Sequence, residues 1–337
     1  MTWAVPGEPM GRKSEVIALV QDIVVALVVV AIVLGALYIY GGRWPPMVVV
    51  ESESMQHSDE WSFVGVIDTG DLTLVRILDK SGPVVTWVEG RDSDYSTYGE
   101  FGDVIIYHKN GLSQTTPIIH RAIVRIEYNA TGGGFDVPTM DPVVWNRLTS
   151  FEIPDFTSYH TGEPETVDLV IDVSVILNNF KNNPAVDPHG GIITKGDHNR
   201  EVDQFSLPAW TGLGAPPPGV SRLVEPVEDE WIVGVARGEI PWFGLIKLWA
   251  RGQTELHPPP KNSGSNLVIS VVLLLVAPFL AESVVIEYRL IHPKEEDADR
   301  SEGKGRRRRR GGDDTEEDEK EGSTSFIDVI KGAFKKE

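Results

Sequence analysis

The feature that most constrains this chain is a long apolar run near its start. Between residues 16 and 40 the only strongly polar side chains are Gln21 and Asp22, and residues 23–40 have none. At 1.5 Å of rise per residue, a helix over residues 23–40 is about 27 Å long, which is enough for a tilted bilayer span. The run exceeds the apolar core of a cleaved signal peptide, and no small-x-small cleavage site follows it. The sequence therefore predicts an uncleaved transmembrane anchor over residues 16–40.

A second apolar run covers residues 267–286 and is broken by Pro278 and Glu282. A carboxylate in the middle of a span costs roughly 2–3 kcal/mol on insertion scales. We expect a second transmembrane helix here, with a helix buried inside the protein as the alternative. In that alternative the chain would cross the membrane once.

The distribution of basic residues predicts the orientation of these runs. Two basic residues directly precede the first run, and three follow the second within a short distance. Because cytoplasmic flanks carry the excess of Lys and Arg, we predict that residues 1–15 and 289–337 are cytoplasmic and that residues 44–264 lie on the extracytoplasmic face. The tail, 289–337, contains a block of arginines followed by a block of acids without apolar partners, which favours disorder.

The segment between the two runs is strongly acidic. Residues 44–264 contain 31 Asp and Glu against 15 Lys and Arg, a net charge of −16 with His neutral. Such a surface suits either a cationic partner or solubility in a high-salt medium, where ions screen the self-repulsion. We favour the second interpretation and a salt-loving source, and we expect no binding of nucleic acid. The chain has no cysteine, which excludes disulfides and thiolate chemistry.

The same segment has the pattern of an antiparallel β structure. Its apolar stretches are short, rich in β-branched residues and bounded by Gly, Asp or Pro, which is typical of strands rather than of alternating βαβ units. Residues 127–190 are richer in Pro, Asn, Asp and Gly and are predicted to be an inserted subdomain between β-domain parts at 44–126 and 191–264. The predicted strands lie at 48–50, 72–77, 84–88, 104–107, 118–124, 167–175 and 231–235.

Candidate nucleophiles follow the first apolar run directly. A serine nucleophile needs a base to take its proton and donors to stabilise the oxyanion. Ser52 and Ser54 alternate in a short segment, so in an extended chain they share one face. Because Ser-Glu-Ser is a common pattern, an ordinary surface loop is the competing interpretation.

Five further segments follow in order. Residues 68–76 and 102–107 each carry Gly-Asp before a strand, 117–125 contains Ile-Ile-His-Arg, 191–203 contains Thr-Lys-Gly-Asp, and 234–244 precedes the second apolar run. In this order, behind an anchor, the segments resemble the sequence boxes of type I signal peptidases of the archaeal and endoplasmic-reticulum kind. The resemblance implies a signal-peptidase-like antiparallel β catalytic domain, and together with the acidic composition it indicates a haloarchaeal source.

The resemblance also implies an acid–base system. Ser54, in Ser-x-Ser-Met, matches the family's nucleophile, and His120, in Ile-Ile-His-Arg, matches the general base. Asp203 matches the acidic residue that supports the histidine, and Asp197, six residues earlier, matches the family's other important aspartate. A neutral imidazole with a carboxylate behind it is a competent base near neutral pH.

The residues beside the nucleophile are implied to contact the reacting carbonyl and the substrate. Ser52 matches the serine that assists the oxyanion hole, together with the backbone N–H of Ser54, and Met55 lies on the substrate-binding side. The chain departs from the family pattern Ser-Gly-Ser-Met-x-Pro, since Glu53 and His57 stand where glycine and proline are usual.

Each assignment has a competing interpretation. His120 lies in an apolar strand and also fits a buried structural histidine, while Asp197 and Asp203 also fit residues that shape a turn. The competing bases are His57, His108, His198 and Lys195, the last only if burial lowers its pKa.

The predicted function is that of a membrane-bound serine endopeptidase that removes N-terminal signal peptides from exported preproteins. Its expected partners are secretory preproteins, membrane lipid and the protein-export machinery. The eight histidines are scattered without the spacing of a zinc site, so no metal or organic cofactor is predicted. The alternatives are a non-catalytic membrane-tethered β domain that binds exported proteins and a degenerate peptidase homologue.

Overall fold

The computed structural model describes residues 12–140, 143–184, 186–205 and 223–291. Most of the predicted N-terminal cytoplasmic segment and nearly all of the charged tail lie outside these residues. The described residues up to Val271 form one compact unit, and the described part of the second unit, residues 272–291, is helical.

Both apolar runs are helical. Helix α1 spans Arg12–Gly41 and helix α6 spans Ser263–Ile291. Leu19–Gly41 and Ser263–Ala281 are long and apolar enough to cross a membrane, and 0% of the first window and 6% of the second are buried. Because Leu274 and Phe279 are 67% and 70% exposed, the second run is not a helix buried inside the protein. The protein therefore has two helices suited to a bilayer.

Between these helices the chain is mainly antiparallel β structure, as predicted. The main sheet has the strand order β1-β2-β11-β5-β6-β10, with β7 paired to β6, and β3-β4 and β8-β9 form two-stranded sheets. The strands are β1 Met47–Val49, β2 Leu72–Arg76, β3 Ser96–Thr97, β4 Glu100–Phe101, β5 Val104–Tyr107, β6 Ile118–Asn129, β7 Gly134–Asp136, β8 Ser150–Ser158, β9 Glu165–Asp172, β10 Gly191–Lys195 and β11 Ile232–Ile240. The remaining helices are α2 Leu78–Ser81, α3 Trp87–Ser93, α4 Val173–Asn182 and α5 Leu245–Ala250.

The central strand β5 is buried along its whole length. Its side chains alternate between two core clusters, because successive residues of a strand face opposite sides of the sheet. Ile105 and Tyr107 belong to the cluster that contains Ala122 and Val235, whereas Val104 and Ile106 belong to the other cluster. The sheet therefore has apolar packing on both faces, and polar groups near it are shielded from water.

The strand predicted at 84–88 is wrong. Helix α3 begins at Trp87, and Thr86 is its N-cap. The Thr86 side chain accepts a hydrogen bond from the Glu89 N–H, and the Glu89 carboxylate accepts one from the Thr86 N–H, which is a capping box. This reciprocal pair satisfies two amide groups that a helix start leaves without partners, and it outweighs the β propensity of the valines that precede it.

Residues 127–190 do not build a core of their own. Their side chains Phe135, Phe156 and Phe180 share one cluster with Trp87 of α3 and Ile123 of β6. A fully buried side chain of this size contributes roughly 1.5–3 kcal/mol. The segment predicted as an inserted subdomain is therefore an extension of the main core, held on by β6, which runs through the predicted boundary.

Candidate active site

The predicted nucleophile lies in a short 3-10 turn, Glu53–Met55, just after β1. The Ser54 carbonyl oxygen accepts a hydrogen bond of 2.9 Å from the His198 N–H. A Cβ on Gly196 would lie 2.4 Å from that same oxygen, so only glycine permits this close approach. The turn that follows β10 thus holds the backbone of Ser54 in place.

Met55 anchors the turn in the core of the sheet. Its side chain is 1% exposed and packs with Val50, Val104 and Ile106. A side chain buried in the core cannot line an open substrate surface. The assignment of Met55 to substrate binding is therefore corrected to a packing role, for the simple reason that a large apolar side chain next to a core is buried there.

Ser52 and Ser54 are neighbours through their side chains. Their hydroxyl oxygens are 3.1 Å apart, and both residues are half-buried. Ser52 occupies the N-cap position of the turn but makes no capping hydrogen bond with its side chain. Its hydroxyl is instead within hydrogen-bond distance of the hydroxyl of Ser54.

His120 and Asp203 form a buried pair. His120 Nδ1 lies 2.6 Å from Asp203 Oδ2, and the two side chains are 10% and 8% exposed. The same carboxylate oxygen accepts hydrogen bonds from the hydroxyls of Thr194, at 2.6 Å, and Tyr107, at 2.9 Å. The Asp203 backbone N–H donates to the Thr194 carbonyl oxygen. The carboxylate is thus fixed in position by three different strands.

The sheet register explains why these side chains meet. His120 on β6 pairs with Ile105 on β5, and Thr194 on β10 pairs with Ala122 on β6. Directly paired residues, and residues two apart, share one face of a sheet. Tyr107, His120 and Thr194 therefore project from the same face of three adjacent strands, and Asp203 lies over them.

The contact with Asp203 indicates which nitrogen of His120 carries the proton when the carboxylate is ionised. An ionised carboxylate only accepts hydrogen bonds, so Nδ1 then donates to Asp203 and a neutral ring has its lone pair on Nε2. Burial raises the pKa of Tyr107 well above its usual value, so its hydroxyl remains a donor to Asp203 throughout the physiological range. This is the tautomer that a general base requires.

Ser54 and His120 lie on neighbouring elements, since the turn Glu53–Met55 lies beside β6. Across the described ranges, no hydrogen bond joins the two side chains, and Nε2 of His120 has no hydrogen-bond partner. Catalytic hydrogen bonds are often long in proteins without substrate and shorten when it binds. Nε2, the ring nitrogen that is not bonded to Asp203, is therefore the atom of His120 that could accept a proton.

Asp197 is bonded to a different partner. Arg121 binds it with two parallel hydrogen bonds, Nε to Oδ1 at 2.8 Å and Nη2 to Oδ2 at 2.6 Å. The buried guanidinium holds the pKa of Asp197 far below its usual range, against the opposing effect of its own burial. Asp197 therefore does not orient His120. Of the two aspartates implied by the resemblance, Asp203 alone is hydrogen-bonded to the predicted base.

Three of the competing bases make contacts of their own. His57 Nε2 is 3.0 Å from Asp197 Oδ2, and His198 Nδ1 is 3.2 Å from the Gln56 carbonyl oxygen. Lys195 is 1% exposed, and desolvation lowers its pKa to about 8. Its ammonium group donates to the carbonyl oxygens of Gly196 and Asp197, and it shares a face with Arg121, to which it is paired across the strands. Lys195 therefore projects away from the face that carries His120.

Two residues of the site were missed from the sequence. Tyr107 and Thr194 each donate to Asp203, although both lie in segments that had been singled out for other residues. Tyr107 is two residues after Ile105, which pairs with His120, and Thr194 pairs with Ala122, two residues after His120. This spacing could have identified both residues, but only once the strand pairing was known. The chain matches no protein-family model and no curated protein, so these roles rest on residue patterns and geometry.

Proposed function

We propose that this protein is a membrane-bound serine endopeptidase that removes N-terminal signal peptides from exported preproteins. The observation that carries the proposal is the 2.6 Å hydrogen bond between His120 and Asp203, two residues 83 positions apart. Both lie in the segments that resemble the signal peptidase boxes. An imidazole hydrogen-bonded to a carboxylate is the arrangement that a serine peptidase needs in its general base.

The proposed reaction has an acylation step and a deacylation step, and His120 acts in both. The Ser54 hydroxyl attacks the carbonyl carbon of the scissile bond while Nε2 of His120 takes its proton. Asp203 keeps the ring in the required tautomer and stabilises the imidazolium that forms. The imidazolium then returns the proton to the departing amine, and water activated by the same nitrogen hydrolyses the acyl-enzyme, regenerating Ser54.

Stabilisation of the tetrahedral intermediate is assigned to the donors beside Ser54. The Ser52 hydroxyl, 3.1 Å from the Ser54 hydroxyl, and the Ser54 backbone N–H are close enough to the attacking oxygen to serve the developing oxyanion. Loss of one such donor typically costs about 10²–10³ in kcat. Ser52→Ala is therefore expected to retain substrate binding while losing most turnover.

The two apolar helices support a location at the membrane. Signal peptides are themselves membrane-inserted, so an enzyme that cleaves them needs its site close to the bilayer surface. We assign the β domain to the extracytoplasmic face from the distribution of basic residues around the two helices. Secretory preproteins are the proposed substrates, and membrane lipid and the export machinery are the proposed partners.

The test is processing of a secretory precursor by purified, detergent-solubilised protein in high salt. Wild type is compared with Ser54→Ala and with Ser58→Ala, a control from the same loop whose hydroxyl accepts hydrogen bonds from the Glu60 and Trp61 N–H groups. We expect wild type and Ser58→Ala to cleave after a small residue and Ser54→Ala to be inactive.

Two outcomes contradict the proposal in different ways. Equal cleavage by wild type and Ser54→Ala would show that Ser54 is not the nucleophile. No cleavage by folded wild type, with a competent signal peptidase cleaving the same precursor, would favour a membrane-tethered binding domain or a degenerate homologue.

A further inference from the structure

Residues 52–58, which carry Ser54 and are called the nucleophile loop below, also contain His57, and an aromatic ring from a distant part of the chain packs on this histidine. The imidazole of His57 stacks on the ring of Tyr159, with 3.6 Å between ring centroids and 6° between ring planes. Tyr159 directly follows β8, in the segment 127–190. This segment has no role in the proposed chemistry.

Besides this stack, His57 makes a hydrogen bond to Asp197. His57 is three residues after Ser54, and its Nε2 atom lies 3.0 Å from Asp197 Oδ2. Asp197 is itself fixed by Arg121, whose Nη1 donates to backbone carbonyl oxygens between Thr97 and Gly102. The ring of His57 is thus clamped between a buried anion at its edge and Tyr159 on its face.

Tyr159 is tied down on three sides. Its N–H donates to the Asp197 carbonyl oxygen at 3.1 Å, and its hydroxyl donates to Glu100 Oε1 at 2.9 Å. The third contact is the stack on His57. A Cβ on Gly99 would lie 3.1 Å from the His57 ring, and Gly99 has a φ of +83°, so glycine makes room for the imidazole.

The chain from Ser54 to His57 has little freedom between its two fixed ends. The Ser54 carbonyl oxygen is bonded to the His198 N–H, and the Gln56 carbonyl oxygen is bonded to the His198 ring. Both contacts involve the turn that contains Asp197. These hydrogen bonds attach the nucleophile loop to this turn, and Tyr159 packs on the ring of His57 beside it.

We propose that Tyr159 and His57 are positioning residues, through which the β8–β9 hairpin fixes the loop that carries Ser54. Support of the nucleophile is then one role of residues 127–190. The inference rests on the proposed function for its effect on turnover, but the bracing itself is measurable without activity. A displacement of about 1 Å in a reacting group costs up to roughly 10²-fold in rate.

The experiment compares three variants of the full-length protein in detergent and high salt. Tyr159→Leu removes the stacked ring, Tyr159→Phe keeps the ring and loses the bond to Glu100, and Tyr128→Leu is the matched control. Tyr128 is also a half-buried tyrosine that packs on aromatic rings, Phe135 and Phe180, but its recorded ring contacts are with that part of the core. Hydrogen exchange of a peptide covering residues 52–58, unfolding midpoints, and kcat and KM for a precursor peptide are measured for all three.

We expect Tyr159→Leu to increase exchange in residues 52–58 and to lower kcat by roughly 10- to 100-fold with KM changed less than threefold. Tyr159→Phe is expected to show wild-type hydrogen exchange and wild-type kcat. Tyr128→Leu is expected to lower the unfolding midpoint without changing the exchange of residues 52–58 or kcat. Unchanged exchange in Tyr159→Leu relative to Tyr128→Leu would overturn the inference. Increased exchange with unchanged kcat would also overturn it, because Tyr159 would then hold the loop without affecting the position of Ser54 in the reaction.

Failure of the proposed function gives a different result. If folded wild type does not cleave a precursor that a competent signal peptidase cleaves, the peptidase proposal fails. The exchange measurement then still decides whether Tyr159 holds the loop, and an unchanged loop overturns the bracing as well.

Discussion

Two histidine–aspartate pairs lie on opposite faces of the same sheet and differ in what else bonds the aspartate. Asp203 is shared by His120 and the hydroxyls of Tyr107 and Thr194, whereas Asp197 is shared by His57 and the guanidinium of Arg121. His120 and Arg121 are consecutive residues of β6, so their side chains project from opposite faces. One pair is therefore built on each side.

The difference teaches how one residue type serves two purposes. A carboxylate already neutralised by a buried arginine has little to gain from a proton on its histidine, so the pair around Asp197 is suited to holding structure. A carboxylate held by hydroxyls is free to stabilise a positive charge that develops on its histidine during a reaction. The comparison makes separate predictions for activity and for stability.

The largest expected effect is on activity, from Asp203→Asn. The amide keeps the shape of the side chain but presents the wrong hydrogen-bond pattern to Nδ1, so the ring loses the required tautomer. Removal of the corresponding carboxylate in a serine triad costs about 10⁴ in kcat. Precursor cleavage by Asp203→Asn should fall by about that factor while the circular dichroism spectrum stays the same. Activity within tenfold of wild type would show that Asp203 is not the support of the base.

Asp197→Asn should have its main effect on stability. Arg121 is 0% exposed, and removal of one partner of a buried ion pair typically costs about 3–5 kcal/mol. Urea unfolding of the detergent-solubilised protein measures this, with Asp203→Asn as the control for loss of a buried carboxylate. If Asp197→Asn lowered the free energy of unfolding less than Asp203→Asn does, Asp203 rather than Asp197 would be the more important of the two for stability.

The same pair predicts a pH dependence of stability. The pKa of Asp197 is lowered in the folded state, so its contribution is present above the unfolded pKa of about 3.9 and is lost as pH falls below that value. Wild type should therefore lose stability more steeply than Asp197→Asn between about pH 5 and pH 3. Parallel curves for the two proteins in this range would contradict the assigned role of Asp197.

Tyr107→Phe should have an intermediate effect and sharpen the comparison on the other face. It removes one donor from Asp203 and leaves the ring in the core. A hydrogen bond to a charged group contributes about 1.5–3 kcal/mol, and we expect kcat to fall by about tenfold with little change in the unfolding midpoint. A fall in stability without a fall in kcat would show that Tyr107 only packs the sheet.

The smallest effect is expected from Lys195→Met. Desolvation lowers the pKa of Lys195 to about 8, so the folded state disfavours its charge. Stability of wild type should rise as pH increases from about 8 towards the unfolded pKa near 10.4, and the variant should lack this rise. Precursor cleavage should stay within about threefold of wild type, since Lys195 lies on the face opposite His120. Loss of cleavage with the fold intact would revive a serine–lysine mechanism.

Much of the candidate site was accessible from the sequence because its residues lie in short, recognisable segments. Ser54, His120 and Asp203 were named, and the structure joins the last two by a hydrogen bond. Tyr107 and Thr194 were not named, because their roles follow from strand pairing rather than from their neighbours in the chain. Met55 was assigned to the substrate side, although its size and apolar character favour the core.

The fold shows the same division. The apolar runs and most strands followed from local periodicity, but residues 84–88 were assigned to a strand on their β-branched composition, and the Thr86–Glu89 capping box that starts a helix there was not considered. Residues 127–190 read as a separate subdomain, since Pro, Asn and Gly obscure the pattern of β8 and β9. Their apolar side chains are spaced widely along the chain, and only folding brings them together around Trp87.

The sequence by itself predicted two bilayer-length helices and an antiparallel β domain between them, and its resemblance to signal peptidases selected a serine, a histidine and two aspartates as candidates. The helices and strands are properties of consecutive residues, which hydrophobic periodicity reports directly. The tertiary structure decided which aspartate supports His120, that Arg121 engages the other, and that Tyr159 reaches the nucleophile loop. Those outcomes depend on which strands pair and in which register, and a shift of one residue along β6 would exchange the two faces.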